Sequence, residues 1–110
     1  MIIPNSYISQ IRKNPSIQKW IHLSLIYTFP EDFIREFKDY VNWVSVCFDQ
    51  KLSENFIIEF ENKVDWQIIS SHQNLSKEFI IQFIDKIDFK FLVRNVFLSQ
   101  DIKDYCRMFN

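Results

Sequence analysis

The chain repeats itself every 23 residues, and this period constrains the fold more than any other feature of the sequence. Three complete copies follow one another without gaps, and the beginning of a fourth comes after them: 29–51, 52–74, 75–97 and the half repeat 98–110. Residues 1–28 form a degenerate copy, because Trp20 lies 23 residues before Trp43. Periods of this length are typical of stacked supersecondary units. We therefore expect a single repeat domain over residues 1–110.

Within each copy the apolar residues recur with the spacing of a helix face. In the second copy Phe56, Ile57 and Phe60 have the i, i+1, i+4 spacing of an amphipathic helix. Trp66 and Ile69, which are three residues apart, predict a second short helix in the same copy. We expect helix A over roughly residues 54–62, a tight turn, and helix B over roughly residues 66–73. The predicted fold is all-α, a tandem array of short helical hairpins similar to an α-solenoid.

Polar residues stand before each predicted helix at the same period. Serine precedes helix A in three copies, at Ser53, Ser76 and Ser99. An amide or carboxylate side chain precedes helix B, at Asn42, Asp65 and Asp88. These residue types favour the N-cap position, where a side-chain oxygen accepts from a free backbone N–H. The alternative for Asp65 and Asp88 is a carboxylate pair for acid–base catalysis, but their recurrence at the repeat period favours capping.

The segments LSENFIIEFENKVDWQIIS and LSKEFIIQFIDKIDF share the motif Leu-Ser-x-x-Phe-Ile-x-x-Phe-x-x-x-(Val/Ile)-Asp-(Trp/Phe). This motif resembles the short helical repeats of uncharacterised proteins from amoeba-infecting giant DNA viruses of the mimivirus-like group. The resemblance covers roughly residues 29–105 and does not extend over residues 1–28. It implies a helical repeat fold and a viral origin, and it implies no activity.

The residues that carry enzyme chemistry do not form a pattern in this chain. Because the chain has no glycine, it lacks the glycine-rich loops and elbows of nucleotide-binding and hydrolase folds. His22 and His72 fall in different columns of the repeat, and Cys47 and Cys106 have no partner at zinc-ligand spacing. Glutamates on the polar side of helix A form either a carboxylate cluster or, as we favour, a solvated face: Glu31, Glu36, Glu54, Glu59 and Glu61. We expect no enzyme activity, no catalytic residue, no metal site and no cofactor.

Charge and hydropathy limit the classes of partner. The net charge is −1, and the three basic residues of the N-terminal stretch are too few to predict nucleic-acid binding. No apolar run approaches the ~18 residues needed to span a bilayer, and the first 14 residues lack the apolar core of a signal peptide. We therefore expect neither a nucleic-acid nor a membrane partner, and a cytoplasmic location, which for a viral protein is the host cytoplasm.

One group of residues departs from the repeat toward apolar side chains. In the third copy, several positions that are polar in earlier copies become apolar. With Ile81, which adds to the apolar character of that copy, they form the candidate interaction surface: Ile81, Ile84, Phe91, Val93, Val96 and Phe97. They are either covered by the last helix A or exposed for a partner. We expect a non-catalytic protein–protein interaction module, with a self-assembling structural or packaging protein as the alternative. A homodimer through the unfinished C-terminal copy is also expected, since an open stack exposes apolar surface.

Overall fold

A computed structural model of the protein describes residues 1–108, which form nine α-helices and one 3₁₀ turn. The helices are α1 Asn5–Lys13, α2 Trp20–Ile26, α3 Glu31–Glu36, α4 Trp43–Asp49, α5 Glu54–Glu59, α6 Trp66–His72, α7 Lys77–Gln82, α8 Phe89–Leu92 and α9 Gln100–Arg107, and the 3₁₀ turn is Pro15–Ile17. Across these residues the only β pairing is an isolated bridge between Ile2 and Thr28. The predicted all-α fold is confirmed.

The helices follow the 23-residue period. From α3 to α9 each helix A begins 23 residues after the previous one, and from α2 to α8 each helix B does the same. In the second copy helix B matches its predicted span closely, but helix A ends at Glu59, three residues earlier than predicted. Phe60 has already left the helical region, with φ −110° and ψ 33°, and the chain turns from there toward helix B. The hairpin repeat is therefore built from helices of two turns or fewer.

Successive units stack in one direction. Helix B packs on helix B along the series α2, α4, α6 and α8, and α9 packs on α7. The molecule measures 49 × 24 × 19 Å with a radius of gyration of 15.3 Å. A compact domain of this length has a radius of about 13 Å. The protein is therefore an elongated single domain, as neighbour-to-neighbour stacking requires.

Aromatic rings join each helix B to the next helix A. Trp43, at the start of α4, packs against Phe56 and Phe60 with ring-centroid distances of 6.2 and 5.1 Å. The same contacts recur one repeat earlier and one repeat later: Trp20 with Phe33 and Phe37, and Trp66 with Phe79 and Phe83. The Trp43 indole N–H also donates to the carbonyl of Lys38 at 3.0 Å, which fixes the turn between helix A and helix B. Each tryptophan of this column thus stabilises the turn of its own hairpin and packs against helix A of the next one.

Helix B ends without the residue that usually ends a helix. Helices commonly finish in a left-handed glycine, which satisfies the last free carbonyls. The chain has no glycine, and residues 1–108 contain no positive φ angle. α4 and α6 instead pass directly into extended backbone at Gln50 and Gln73, both with φ −100°. The final carbonyls of each helix B therefore need a donor from elsewhere.

A buried side-chain amide from the next unit supplies that donor. Gln73 Nε2 donates to the carbonyls of Cys47 and Gln50 at 2.8 and 2.7 Å, and its Oε1 accepts from the N–H of Leu52 at 2.9 Å. Gln50 makes the equivalent bonds one repeat earlier, with the carbonyls of Ser24 and Tyr27 and the N–H of Phe29. Both glutamine side chains are buried. We call these amides the amide rungs.

The third amide rung is displaced by one residue. The repeat places Val96 in the column of Gln50 and Gln73. The carbonyls of Ser70 and Gln73 are bonded instead by Asn95 Nδ2, both at 2.8 Å, and Asn95 is fully buried. α8 ends after four residues, so the shorter amide reaches the same two carbonyls one position earlier. Val96 consequently turns into solvent and is 85% exposed.

The predicted N-caps are confirmed. Ser53, Ser76 and Ser99 each accept from the backbone N–H three residues later, and Asn42 and Asp65 do the same for helix B. Asp88 differs slightly, because it accepts from the N–H of Lys90. Interpreting Asp65 and Asp88 as helix caps therefore accounts for both carboxylates.

Candidate interaction surface

The outer face of helix B carries exposed apolar side chains in two adjacent units. Ile21 and Leu25 lie one turn apart on α2, and Val44 and Phe48 lie in the same columns on α4, one repeat later. All four are more than half exposed, Leu25 reaching 71%. Leu23 and Val46 between them point inward and are buried, so the helix period itself turns the other residues outward. We call these four residues the apolar row.

An apolar depression continues from the apolar row toward the C-terminal units. It has a volume of about 440 Å³ and lies between α4, α6 and the segment around α8. Its walls are formed by Phe48, Ile68, Ser71, His72, Phe91, Arg94, Val96 and Phe97. The rings of Phe48 and His72 are 4.3 Å apart, and His72 Nδ1 lies 2.6 Å from Ser71 Oγ, so the imidazole is held as part of the wall.

The charges around this depression are mostly basic. Arg94 stands over the ring of Phe91, with its guanidinium carbon 5.5 Å from the ring centroid. Lys51 and Asp49 line a smaller adjoining hollow that shares Phe48, His72 and Phe97 with the depression. Among the residues that line the depression itself there is no carboxylate. The site therefore combines an apolar floor with one guanidinium at its rim.

The six residues predicted as the interaction surface do not form one patch. Phe91, Val96 and Phe97 line the depression, and Phe97 is 59% exposed. Val93 is exposed at the end of α8, where its carbonyl accepts from Lys103 Nζ at 3.1 Å. The other two residues lie on the helix A side of the unit: Ile81 is near the end of α7, and Ile84 is half-buried against the core.

Sequence reasoning missed the apolar row. The signal was present, because apolar residues recur at two columns of helix B, 21 with 44 and 25 with 48. These columns become polar in the third and fourth helix B, with Gln67 and Lys90 in one and Ser71 and Arg94 in the other. The most apolar copy lies toward the C-terminal end, whereas the exposed apolar residues of helix B begin in the N-terminal units.

The glutamates on helix A form bridges between units and no cluster. Glu31 accepts from both the N–H and the hydroxyl of Ser53, and Glu54 does the same for Ser76. Glu36 and Glu59 pair with the arginines of the preceding unit, Arg12 and Arg35. The hydrogen bond and charge of Arg12 lower the pKa of Glu36. Four of the five glutamates thus join neighbouring repeats, and our interpretation of them as a simple solvated face was incomplete.

The two thiols are buried, as predicted for Cys106. Cys47, which we expected to be an ordinary residue of helix B, is fully buried where α4 packs against the next unit. Burial raises the pKa of the Cys47 thiol from 9.0 to about 11, although the backbone N–H of Asp65 donates to the sulfur. Burial also raises the pKa of Cys106. Neither thiol is an activated nucleophile, because activation requires a lowered pKa.

Comparison with known proteins gives no relative from which a function can be transferred. No family model matches the chain, and no curated protein and no solved structure matches it either. Within residues 1–108 no three histidine, cysteine or carboxylate side chains are grouped so as to hold a metal ion. Over the same residues no helix is long and apolar enough to cross a lipid bilayer. The class that the fold defines is a single-domain all-α repeat protein.

Proposed function

We propose that this protein is a non-catalytic protein–protein interaction module that binds its partner on the outer face of helix B. The observation that carries the proposal is the apolar row together with the adjoining depression. Soluble domains rarely leave contiguous apolar surface open unless something binds there. The surface lies on helices that pack against one another, which suits recognition because little ordering is needed on binding.

The disposition of the reactive side chains supports binding in preference to catalysis. His72 lies against Phe48 and is hydrogen-bonded to Ser71, so it is positioned as a wall of the depression. Both thiols are buried with raised pKa values. Four of the five glutamates considered on helix A form bridges between units. The chemistry of the exposed face is therefore that of an apolar contact with a charged rim.

Affinity capture with a pair of matched variants tests the proposal. Leu25→Ser with Phe48→Ser removes the exposed apolar face of helix B. Ile58→Ser with Ile81→Ser makes the same kind of change on helix A, where these residues are 37% and 36% exposed. We expect the wild type and the helix A variant to capture the same proteins from cell lysate, and the helix B variant to lose them at least about tenfold. Equal capture by both variants would contradict the proposal.

Self-assembly, including a homodimer, is the second candidate. The observation that favours it is the exposure of Val96 and Phe97, 85% and 59%, at one edge of the depression. Sedimentation equilibrium from low to high micromolar concentration tests it, with Val96→Ser and Phe97→Ser as the variant that should remain monomeric. Ile84 is not suitable for this test, because it is half-buried against the core and its replacement would perturb folding.

We also propose a viral origin and a cytoplasmic site of action. The support for the origin is the likeness of the repeat motif to those of giant-virus proteins, together with a composition that lacks glycine and is rich in Ile, Asn and Lys. Localisation of a tagged chain in infected amoebae tests both statements: we expect diffuse or partner-dependent cytoplasmic staining. Secretion, or expression from uninfected host cells, would contradict them.

A further inference from the structure

Arg94 differs from every other arginine in the described part of the chain. Arg12, Arg35 and Arg107 each pair with a carboxylate at 2.6 to 3.4 Å. Arg94 forms no ion pair among residues 1–108, and its guanidinium lies over the ring of Phe91 at the rim of the apolar depression. A guanidinium is a strong and directional partner for carboxylates. Its unpaired position beside an apolar floor indicates a binding site for an anionic group.

The exposed side chains of helix B change from apolar to cationic from the N-terminal to the C-terminal units. One column of the repeat contains Leu25, Phe48, Ser71 and Arg94 on successive units, so it passes from apolar through small to cationic. The parallel column contains Ile21, Val44, Gln67 and Lys90 and changes in the same order. Lys90 lines a hollow together with Lys86, Asp85 and Asp88, so charges of both signs lie there. Arg94 is the one Arg, Lys, Asp or Glu among the residues that line the depression, and Lys51 and Asp49 lie together in the adjoining hollow.

The dimensions of this face fit a helical segment. Four helix B axes at 8–10 Å spacing cover ~24–30 Å, which corresponds to about 16–20 residues of helix. A groove of apolar side chains with polar edges is the surface on which amphipathic helices dock. An extended segment, in contrast, binds by adding to an open sheet edge, and residues 1–108 offer only the single bridge at Ile2.

We infer that the partner is an amphipathic helical segment with apolar residues along one side and carboxylates at the end that lies near α8. Its apolar residues contact the apolar row and enter the depression beside Phe48 and Phe97. Its carboxylates pair with Arg94. This inference rests on the proposed function and adds the chemistry and the orientation of the partner.

Selection from an unbiased displayed library of 16-residue peptides, with the full chain as bait, tests the inference. We expect enriched peptides to carry apolar residues at helical spacing and Asp or Glu toward one end. The synthetic peptides should bind Arg94→Glu at least about tenfold more weakly than the wild type in fluorescence anisotropy. Lys38→Glu, which makes the same charge change in the turn at the far end of α4, should leave binding unchanged. Peptides with Lys in place of the acidic residues should prefer Arg94→Glu.

The outcomes separate this inference from the proposed function. Failure to enrich peptides, or enrichment without an acidic end or without sensitivity to Arg94→Glu, would overturn the inference. The capture experiment with the Leu25 and Phe48 variant would still decide the proposed function.

A second experiment measures binding to vesicles of phosphatidylcholine with and without phosphatidylserine. Binding to the anionic vesicles that disappears in Arg94→Glu, without any peptide binding, would assign the face to lipid and overturn the inference. Circular dichroism verifies that each variant is folded.

Discussion

At the scale of single residues, the column of Ser24, Cys47 and Ser70 shows how closely the units approach. All three side chains are small and buried in the middle of helix B. Ser70 Oγ accepts from the N–H of Asp88 at 3.0 Å, and the Cys47 sulfur accepts from the N–H of Asp65. The Cys47 thiol and the Ser70 hydroxyl therefore occupy equivalent positions one repeat apart. Each accepts a hydrogen bond from the backbone N–H of the residue that caps the next helix B.

The Cys47 thiol makes stability depend on pH in the alkaline range. Burial raises its pKa from 9.0 to about 11, so the unfolded chain loses the proton first as the pH rises. The stabilisation is fully present below pH 9 and is lost as the pH approaches 11. We expect the wild type to lose about 2–3 kcal/mol more than Cys47→Ser over that interval in urea unfolding. At neutral pH the variant should differ from the wild type by less than about 1 kcal/mol, because a hydroxyl already serves at position 70.

Core and cap residues of one unit should differ in their contribution to stability. Phe60 is buried, with its ring 4.7 Å from that of Phe56, and Phe60→Ala should cost ~3–5 kcal/mol because it leaves a cavity. Asp65 accepts a single N–H bond from Ile68 at 3.1 Å, so Asp65→Ala should cost about 1 kcal/mol. Chemical denaturation measures both. An equal loss from the two substitutions would show that Asp65 has a role beyond capping.

At the scale of helices, the sequence predicted what depends on local pattern and missed what depends on a neighbour. The period, the two helices and their caps follow from apolar spacing and from residue types at helix starts, and all were predicted. The amide rungs were not, because Gln50 and Gln73 look like ordinary polar positions and polarity suggests exposure. Their burial depends on the free carbonyls of the preceding helix B, which exist because no glycine ends that helix. In the third unit the same free carbonyls are bonded by Asn95, one position earlier than the repeat predicts, and Val96 is exposed as a result.

Removing the side-chain amide of one rung should lower the free energy of unfolding by more than the loss of a single hydrogen bond would. Gln73→Leu keeps a similar volume but leaves the N–H of Leu52 and the carbonyls of Cys47 and Gln50 without this partner. We expect a loss of about 3 kcal/mol in urea unfolding, since each unpaired buried group costs ~1–3 kcal/mol. Asn74→Ala, at the exposed neighbouring position, should change stability by less than about 0.5 kcal/mol. A loss no larger than that of the control would mean that water replaces the rung.

At the scale of the whole molecule, stacking in one direction gives each unit contacts only with its neighbours. α4 and α6 each pack against a helix B on both sides. The main packing partner of α9 is α7. Local opening in repeat proteins follows this nearest-neighbour energetics, so stability is expected to vary along the chain. The binding face includes α4, which has a helix B on both sides, whereas Arg94 lies just after the short α8, which packs on α6 alone in the helix B series.

Amide hydrogen exchange should reveal this gradient. We expect the slowest exchange in α4 and α6 and faster exchange in α8 and α9, because opening the C-terminal units breaks only one unit-to-unit contact. Gln73→Leu should accelerate exchange in both α4 and α6, since its amide connects the end of one to the end of the other. Asn74→Ala serves as the control and should leave the profile unchanged. Uniform protection of all helices at the global free energy of unfolding would show instead that the stack opens as one cooperative unit.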